Sequence, residues 1–172
     1  MIDLILNGIF ISDAASVISA DGKKQIRELN IRRIVTASAM KIPEEDRLPD
    51  VAYKFVYMMD MFNQDLLDNG LLENVIDYID ESIRANENVL IHCEGGVSRS
   101  VALVAGYLMR RFEWSVDAAI MLIQKRRPIA SPNFSFLQQL TIFEQHGYRS
   151  AADASKHTPA AIVDSVEGIE RA

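Results

Sequence analysis

NVLIHCEGGVSRS, residues 88–100, changes character at its midpoint. Val89, Leu90 and Ile91 form a short aliphatic, β-branched run of the kind that makes a fully buried strand. The run ends at His92 and Cys93, the latter the only cysteine in 172 residues. Glu94, Gly95, Gly96, Val97 and Ser98 then make a small glycine-containing loop, Arg99 follows, and from Ser100 the chain is apolar again. The pattern predicts a strand, a tight loop and a helix.

Such a loop has a chemistry of its own. Backbone N–H groups at a helix N-terminus lack intrahelical partners and carry the positive end of the helix dipole, so they suit a phosphate or similar oxyanion. Gly95 and Gly96 let the backbone curl close to that anion. Arg99 adds a planar fork able to hold two oxygens at once. A cysteine at the base of the cradle lies in the same positive field, which favours the thiolate and makes Cys93 a candidate nucleophile. Taken alone, a cysteine is more often a small buried hydrophobe and a Gly-Gly pair a plain turn. It is the combination with Arg99 in one strand-loop-helix context that points to a site.

His92, Cys93, Gly96, Ser98, Arg99 and Ser100 also fit the pattern HCxxGxSRS. In this the chain resembles the cysteine-dependent protein tyrosine phosphatases, in the form typical of the dual-specificity group and of its small atypical members. The resemblance extends over 4–148, with the loop highly specific and the N-terminal third matching loosely. Rhodanese-type sulfur transferases also use a cysteine loop, but His before and Ser-Arg-Ser after the cysteine fit phosphatases better. Low-molecular-weight phosphatases carry their loop near the N-terminus and do not fit.

Length and composition bound the rest. A chain of 172 residues that is 49% hydrophobic suits one domain with a substantial core. No apolar run approaches the roughly 20 residues of a membrane span, and the N-terminus lacks a basic, apolar and cleavable leader pattern, so a cytoplasmic protein is expected, with nuclear access open. A single cysteine excludes an internal disulfide. The net charge of −6, with no Lys/Arg run, argues against nucleic-acid binding.

Taken in order, residues 4–12 read as two short strands around the Asn7-Gly8 turn. A short helix over 13–19 is followed by another over 23–30, for which Asp21 is the expected cap. Residues 31–37 and 51–59 read as strands, separated by an acidic, proline-bounded loop over 43–49. Directly after the second strand come three aspartates. Asp65 precedes Leu67, Leu71, Val75, Ile79 and Ile83 at helical spacing and reads as that helix's N-cap, with Asp68 in its first turn. Asp60 has no such structural role. Cleavage of a phosphate ester by a thiolate needs a proton donor for the leaving oxygen, and the resemblance places the general acid after a strand and ahead of the long helix. Asp60 is therefore the first choice and Asp65 the second.

Beyond the loop, 101–109 is apolar nearly all round and predicts a central buried helix ended by Arg110 and Arg111. Ser115 caps a helix running to Gln124, and Arg126 and Arg127 precede the helix-stopping Pro128. Either arginine could make a secondary phosphate contact, but an ion-pair partner is the expected role for one of them. Ser131-Pro132 reads as a cap and first helical position. The resemblance implies that the side chain of Asn133 ties back to the catalytic loop and helps hold its shape, whereas the local reading is an Asn bonding its own backbone. Two regions are expected: a catalytic domain over 1–148 and a tail over 149–172. Ile162, Val166 and Ile169 give the tail a short amphipathic stripe that docks on the domain, contacts another chain or frays. Oligomeric state stays open.

These readings converge on an α/β fold: a mixed sheet of about five strands flanked by helices, with the loop at the end of the central strand. The resemblance implies phosphate-monoester hydrolysis on phosphotyrosine and phosphoserine/threonine proteins, with no metal and no cofactor. In that reaction Cys93 is the nucleophile, residues 94–99 hold the phosphate, Asp60 is the acid, Ser100 stabilises the thiolate, and His92 supports the loop. The same chemistry on a phosphoinositide, an RNA 5′-end or a glucan, and a phosphate-binding scaffold without turnover, are the competing functions.

Overall fold

The computed structural model describes residues 1–148. Strands β1 (Ile2–Leu6) and β2 (Ile9–Ser12) form the expected antiparallel hairpin. Gly8 sits at φ 78° in its turn, a left-handed conformation that favours glycine. Strands β3 (Ile31–Ser38), β4 (Ala52–Tyr57) and β5 (Asn88–His92) complete a five-stranded sheet in the order β1-β2-β5-β3-β4. All pairings except β1 with β2 are parallel. The predicted mixed α/β sheet is thus present, with β5 at its centre. Val89, Leu90 and Ile91 are fully buried because helices cover both faces.

One face carries α1 (Ala15–Ile18) and α2 (Ala20–Glu28) over a core of Phe10, Val17, Ile26, Ile31, Ile34 and Leu90. The other carries α3 (Leu71–Arg84), α4 (Arg99–Phe112), α5 (Val116–Arg126) and α6 (Phe134–Gln145) over the larger core. Helix α4 packs against α3, α5, α6 and the strands β2 and β5. Its residues 101–109 are accordingly buried on every side, as their unbroken apolar character predicts.

Helix starts depart from the sequence reading in three places. Ser19, not Asp21, caps α2 by accepting from the amide of Gly22; the helix begins earlier, and Asp21 lies in its first turn. Asp65 does not cap α3. Its carboxylate accepts from the amides of Leu67, Asp68 and Asn69 in a separate turn, and Gly70, at φ 70°, breaks the chain before the helix starts at Leu71. Asp68 therefore falls outside α3. Finally Asn133, not Ser131, caps α6 through its side-chain oxygen and the Phe136 amide. Ser115 caps α5 as expected. The amphipathic stripe of the tail lies outside the described residues. Among the described residues no helix is long and apolar enough to cross a membrane.

Candidate active site

In the loop between β5 and α4 each carbonyl from Glu94 to Ser98 accepts a hydrogen bond. The Glu94 carbonyl accepts from the amide of Ala14 (3.1 Å). Arg127 holds the next two, with Nε on Gly96 (2.7 Å) and Nη2 on Gly95 (3.3 Å). The Val97 carbonyl accepts from the Ser131 amide (2.8 Å), and the Ser98 carbonyl from Ala102 in the first turn of α4 (2.9 Å). In a trans peptide the C=O and the following N–H point in opposite directions. Five carbonyls fixed outward thus turn the amides of Gly95 to Arg99 toward the inside of the loop, where the N-terminus of α4 adds its positive end. Of the two glycines only Gly96 is sterically required. It has φ 63°, and a Cβ there would lie 2.5 Å from both Arg127 and the Ser12 carbonyl. At Gly95 a Cβ would meet only Val97 at 3.5 Å.

Cys93 is buried, and its Sγ lies 3.2 Å from Ser100 Oγ. His92 lies beneath, with Nε2 2.8 Å from Thr36 Oγ1 on β3 and Nδ1 3.4 Å from the Cys93 carbonyl. Burial pushes the imidazole down to about 4, overriding its bond to that carbonyl and the pull of Glu94 and Asp13. The ring is therefore neutral at physiological pH. In that state Nδ1–H donates to the Cys93 carbonyl and Nε2 accepts from Thr36.

Arg99 is buried at the start of α4. Its Nη1 donates to the carbonyl of Met58, just past β4 (3.2 Å), and its Nη2 is ion-paired with Glu94. Its buried Nε has no partner. Glu94 also accepts from Ser38 Oγ (2.7 Å). Burial works to raise the Glu94 carboxyl, but the Ser38 hydroxyl, its own amide and the Arg99 charge prevail and hold it below the usual carboxylate value.

The structure brings Asp60 to this loop and leaves Asp65 in its own turn. Ser98 Oγ donates to Asp60 Oδ1 (2.7 Å), and Asn133 Nδ2 donates to the same oxygen (2.8 Å). The Asn133 amide donates in turn to Ser98 Oγ (3.0 Å). For Asn133 the local expectation holds, whereas its side-chain nitrogen goes to Asp60 and not to the loop. Its side-chain oxygen caps its own helix, its side-chain nitrogen reaches Asp60, and its backbone meets the loop.

Four participants were not visible as such in the sequence: Thr36, Ser38, Ser98 as a bridge to Asp60, and Arg127 as the brace. Arg127 pairs with Asp3 and also donates to the Met1 carbonyl (3.3 Å), so it links the first strand to the loop. Arg126 is exposed. A cavity of about 220 Å³ adjoins the loop, lined among others by Ile18, Ser38, Met40, Cys93 and Glu94. A larger hollow of about 380 Å³ between α3 and α4 contains none of the expected catalytic residues. Among the described residues no group of three or more His, Cys, Asp or Glu side chains is placed to hold a metal ion.

Comparison with known proteins agrees with this geometry. The family described as "Dual specificity phosphatase, catalytic domain" matches residues 14–146. Dual specificity protein phosphatase 1 of Arabidopsis thaliana is 34% identical over 143 residues, covering 83% of this chain and 68% of that protein. Dual specificity protein phosphatase 16 of Homo sapiens is 32% identical over 71% of this chain, which spans only 18% of that longer protein. Among solved structures, human DUSP28 superposes with a TM-score of 0.75 at 26% identity, covering 84% of this chain and 93% of that one. Loop, fold and sequence agree, and the chain belongs to the dual-specificity phosphatases, a family of cysteine-dependent phosphatase enzymes.

Proposed function

We propose that this chain hydrolyses phosphate monoesters on phosphotyrosine and phosphoserine/threonine proteins through a phosphocysteine intermediate. The observation that carries the reading is the outward anchoring of the loop carbonyls around Cys93, which leaves inward amides and the Arg99 Nε to receive an oxyanion. In the first step the Cys93 thiolate attacks phosphorus in line, the S–P bond forms and the ester P–O bond breaks. Protonated Asp60 gives its proton to the leaving oxygen. In the second step water attacks phosphorus, the Asp60 carboxylate takes its proton, and the S–P bond breaks to release orthophosphate. Ser100, 3.2 Å from the sulfur, donates a hydrogen bond to the departing thiolate. Asp60 is favoured over Asp65 because it is tied to the loop through Ser98, whereas three amides occupy the Asp65 carboxylate.

Hydrolysis of an aryl phosphate by the wild type, Cys93→Ser and Asp60→Asn tests the scheme. Cys93→Ser is expected to lose turnover and still bind orthophosphate. Asp60→Asn is expected to fall by about 100-fold in kcat, the scale of a lost general acid, and to lose the basic limb of its pH profile. Normal turnover by Cys93→Ser excludes the phosphocysteine; normal turnover by Asp60→Asn moves the acid to Asp65. Phosphotyrosyl and phosphothreonyl peptides should both be turned over. Cleavage of a phosphoinositide or glucan phosphate in their place would change the substrate class.

A further inference from the structure

We infer that Glu94 is an internal competitor for the phosphate-binding edge of Arg99, weakening the hold on product phosphate and disfavouring substrates with a second anion beside the phosphoester. The inference rests on the reading of the Cys93 loop as a phosphate site. A guanidinium can grip a tetrahedral dianion through a pair of adjacent N–H groups, either Nη1 with Nη2 or Nε with Nη2. In Arg99 the first pair is already partly engaged, because Nη1 donates one of its two N–H groups to the Met58 carbonyl. The other pair is Nε, buried and unpartnered, together with Nη2. Nη2 is the atom that Glu94 holds.

A dianion on this edge therefore sits against a carboxylate of the same sign. Glu94 has somewhere to retreat. Its other oxygen is bonded to Ser38, at the end of β3, so the side chain can release Arg99 and stay anchored at the wall of the adjoining cavity. Its side chain is 54% exposed while that of Arg99 is 11% exposed, so the carboxylate stands at the mouth and the guanidinium inside. In the empty site this pairing spares Arg99 an uncompensated buried charge. In the occupied site the same charge subtracts from anion affinity and faces whatever lies next to the phosphoester on the substrate.

The test measures inhibition by orthophosphate, with aryl phosphate as substrate, for the wild type, Glu94→Gln and Glu94→Ala. Removing a half-exposed like charge from the anion's side is expected to lower the phosphate Ki by about five-fold in both variants. The KM should fall in parallel, so that the gain in kcat/KM appears in KM and not in kcat. The rate ratio for a singly over a doubly phosphorylated peptide should also fall. A phosphate Ki that is unchanged or raised in both variants while hydrolysis persists overturns the competitor role, and an unchanged peptide ratio overturns the selectivity. Absence of hydrolysis by the wild type would instead overturn the phosphatase reading itself.

Discussion

His92 shows what one buried side chain beneath a catalytic loop imposes on the protein's response to pH. Burial holds its folded value at about 4, against an unfolded value of about 6.5. Between these values the unfolded chain takes up a proton that the folded chain refuses, so stability rises with pH across the window. The neutral ring therefore carries no penalty above pH 6.5, and protonation of the unfolded state costs about 3 kcal/mol of stability by pH 4. Urea midpoints from pH 7 to 4.5 should fall more steeply for the wild type than for His92→Gln, which cannot titrate; parallel curves would contradict the burial argument. Cys93 and Arg99 were singled out by residue type and spacing, and His92 by the resemblance of its loop to the pattern HCxxGxSRS. Their partners were not. Thr36 lies 56 positions from His92, and nothing local distinguishes its hydroxyl from that of any other strand threonine.

At the scale of elements, the sequence reading located strands and helices well and helix starts less well, for a common reason. A cap depends on where the backbone leaves helical φ/ψ, and candidate capping residues occur close together. Ser19 and Asp21 both qualify by type, but only Ser19 has the extended backbone (φ −70°, ψ 154°) of a cap. Asn133 has the same geometry ahead of α6, while the preceding Ser131 gives its amide to the loop. The segment between α5 and α6 thus serves the loop three times, through Arg127, Ser131 and Asn133. Replacing Arg127 with Met removes donors from the Gly95, Gly96 and Met1 carbonyls and strands Asp3. Because Asp3 keeps some contact with solvent, the expected cost is about 2–3 kcal/mol, below the full value for breaking a buried pair. Aryl-phosphate hydrolysis should fall by at least about ten-fold as the loop amides lose their orientation. Arg126→Met, at the exposed neighbour, should change neither, and equal effects of the two substitutions would refute the bracing role.

Across the whole molecule the site is an assembly of segments far apart in sequence. The central place of β5 puts its loop at a point where the end of β4 and the starts of α4 and α6 converge. That convergence depends on strand order and helix packing, which hydrophobic periodicity does not encode; the sequence therefore pointed to the loop and to Asp60 as the candidate acid separately, and not to the hydrogen bonds that join them. Those bonds have a measurable signature. Ser98 and Asn133 both donate to Asp60 Oδ1, and the Asn133 amide supports the Ser98 hydroxyl, so the three residues form one network. Residues in one network do not act additively. In a double-mutant cycle on kcat/KM, Ser98→Ala and Asn133→Ala should each reduce activity, and the double variant should lose less than the sum of the two by about 1 kcal/mol. The deficit should vanish in an Asp60→Asn background, where the acid they position is gone. Strict additivity with Asp60 present would mean that the two residues support the loop and the helix independently, without acting on the proton donor.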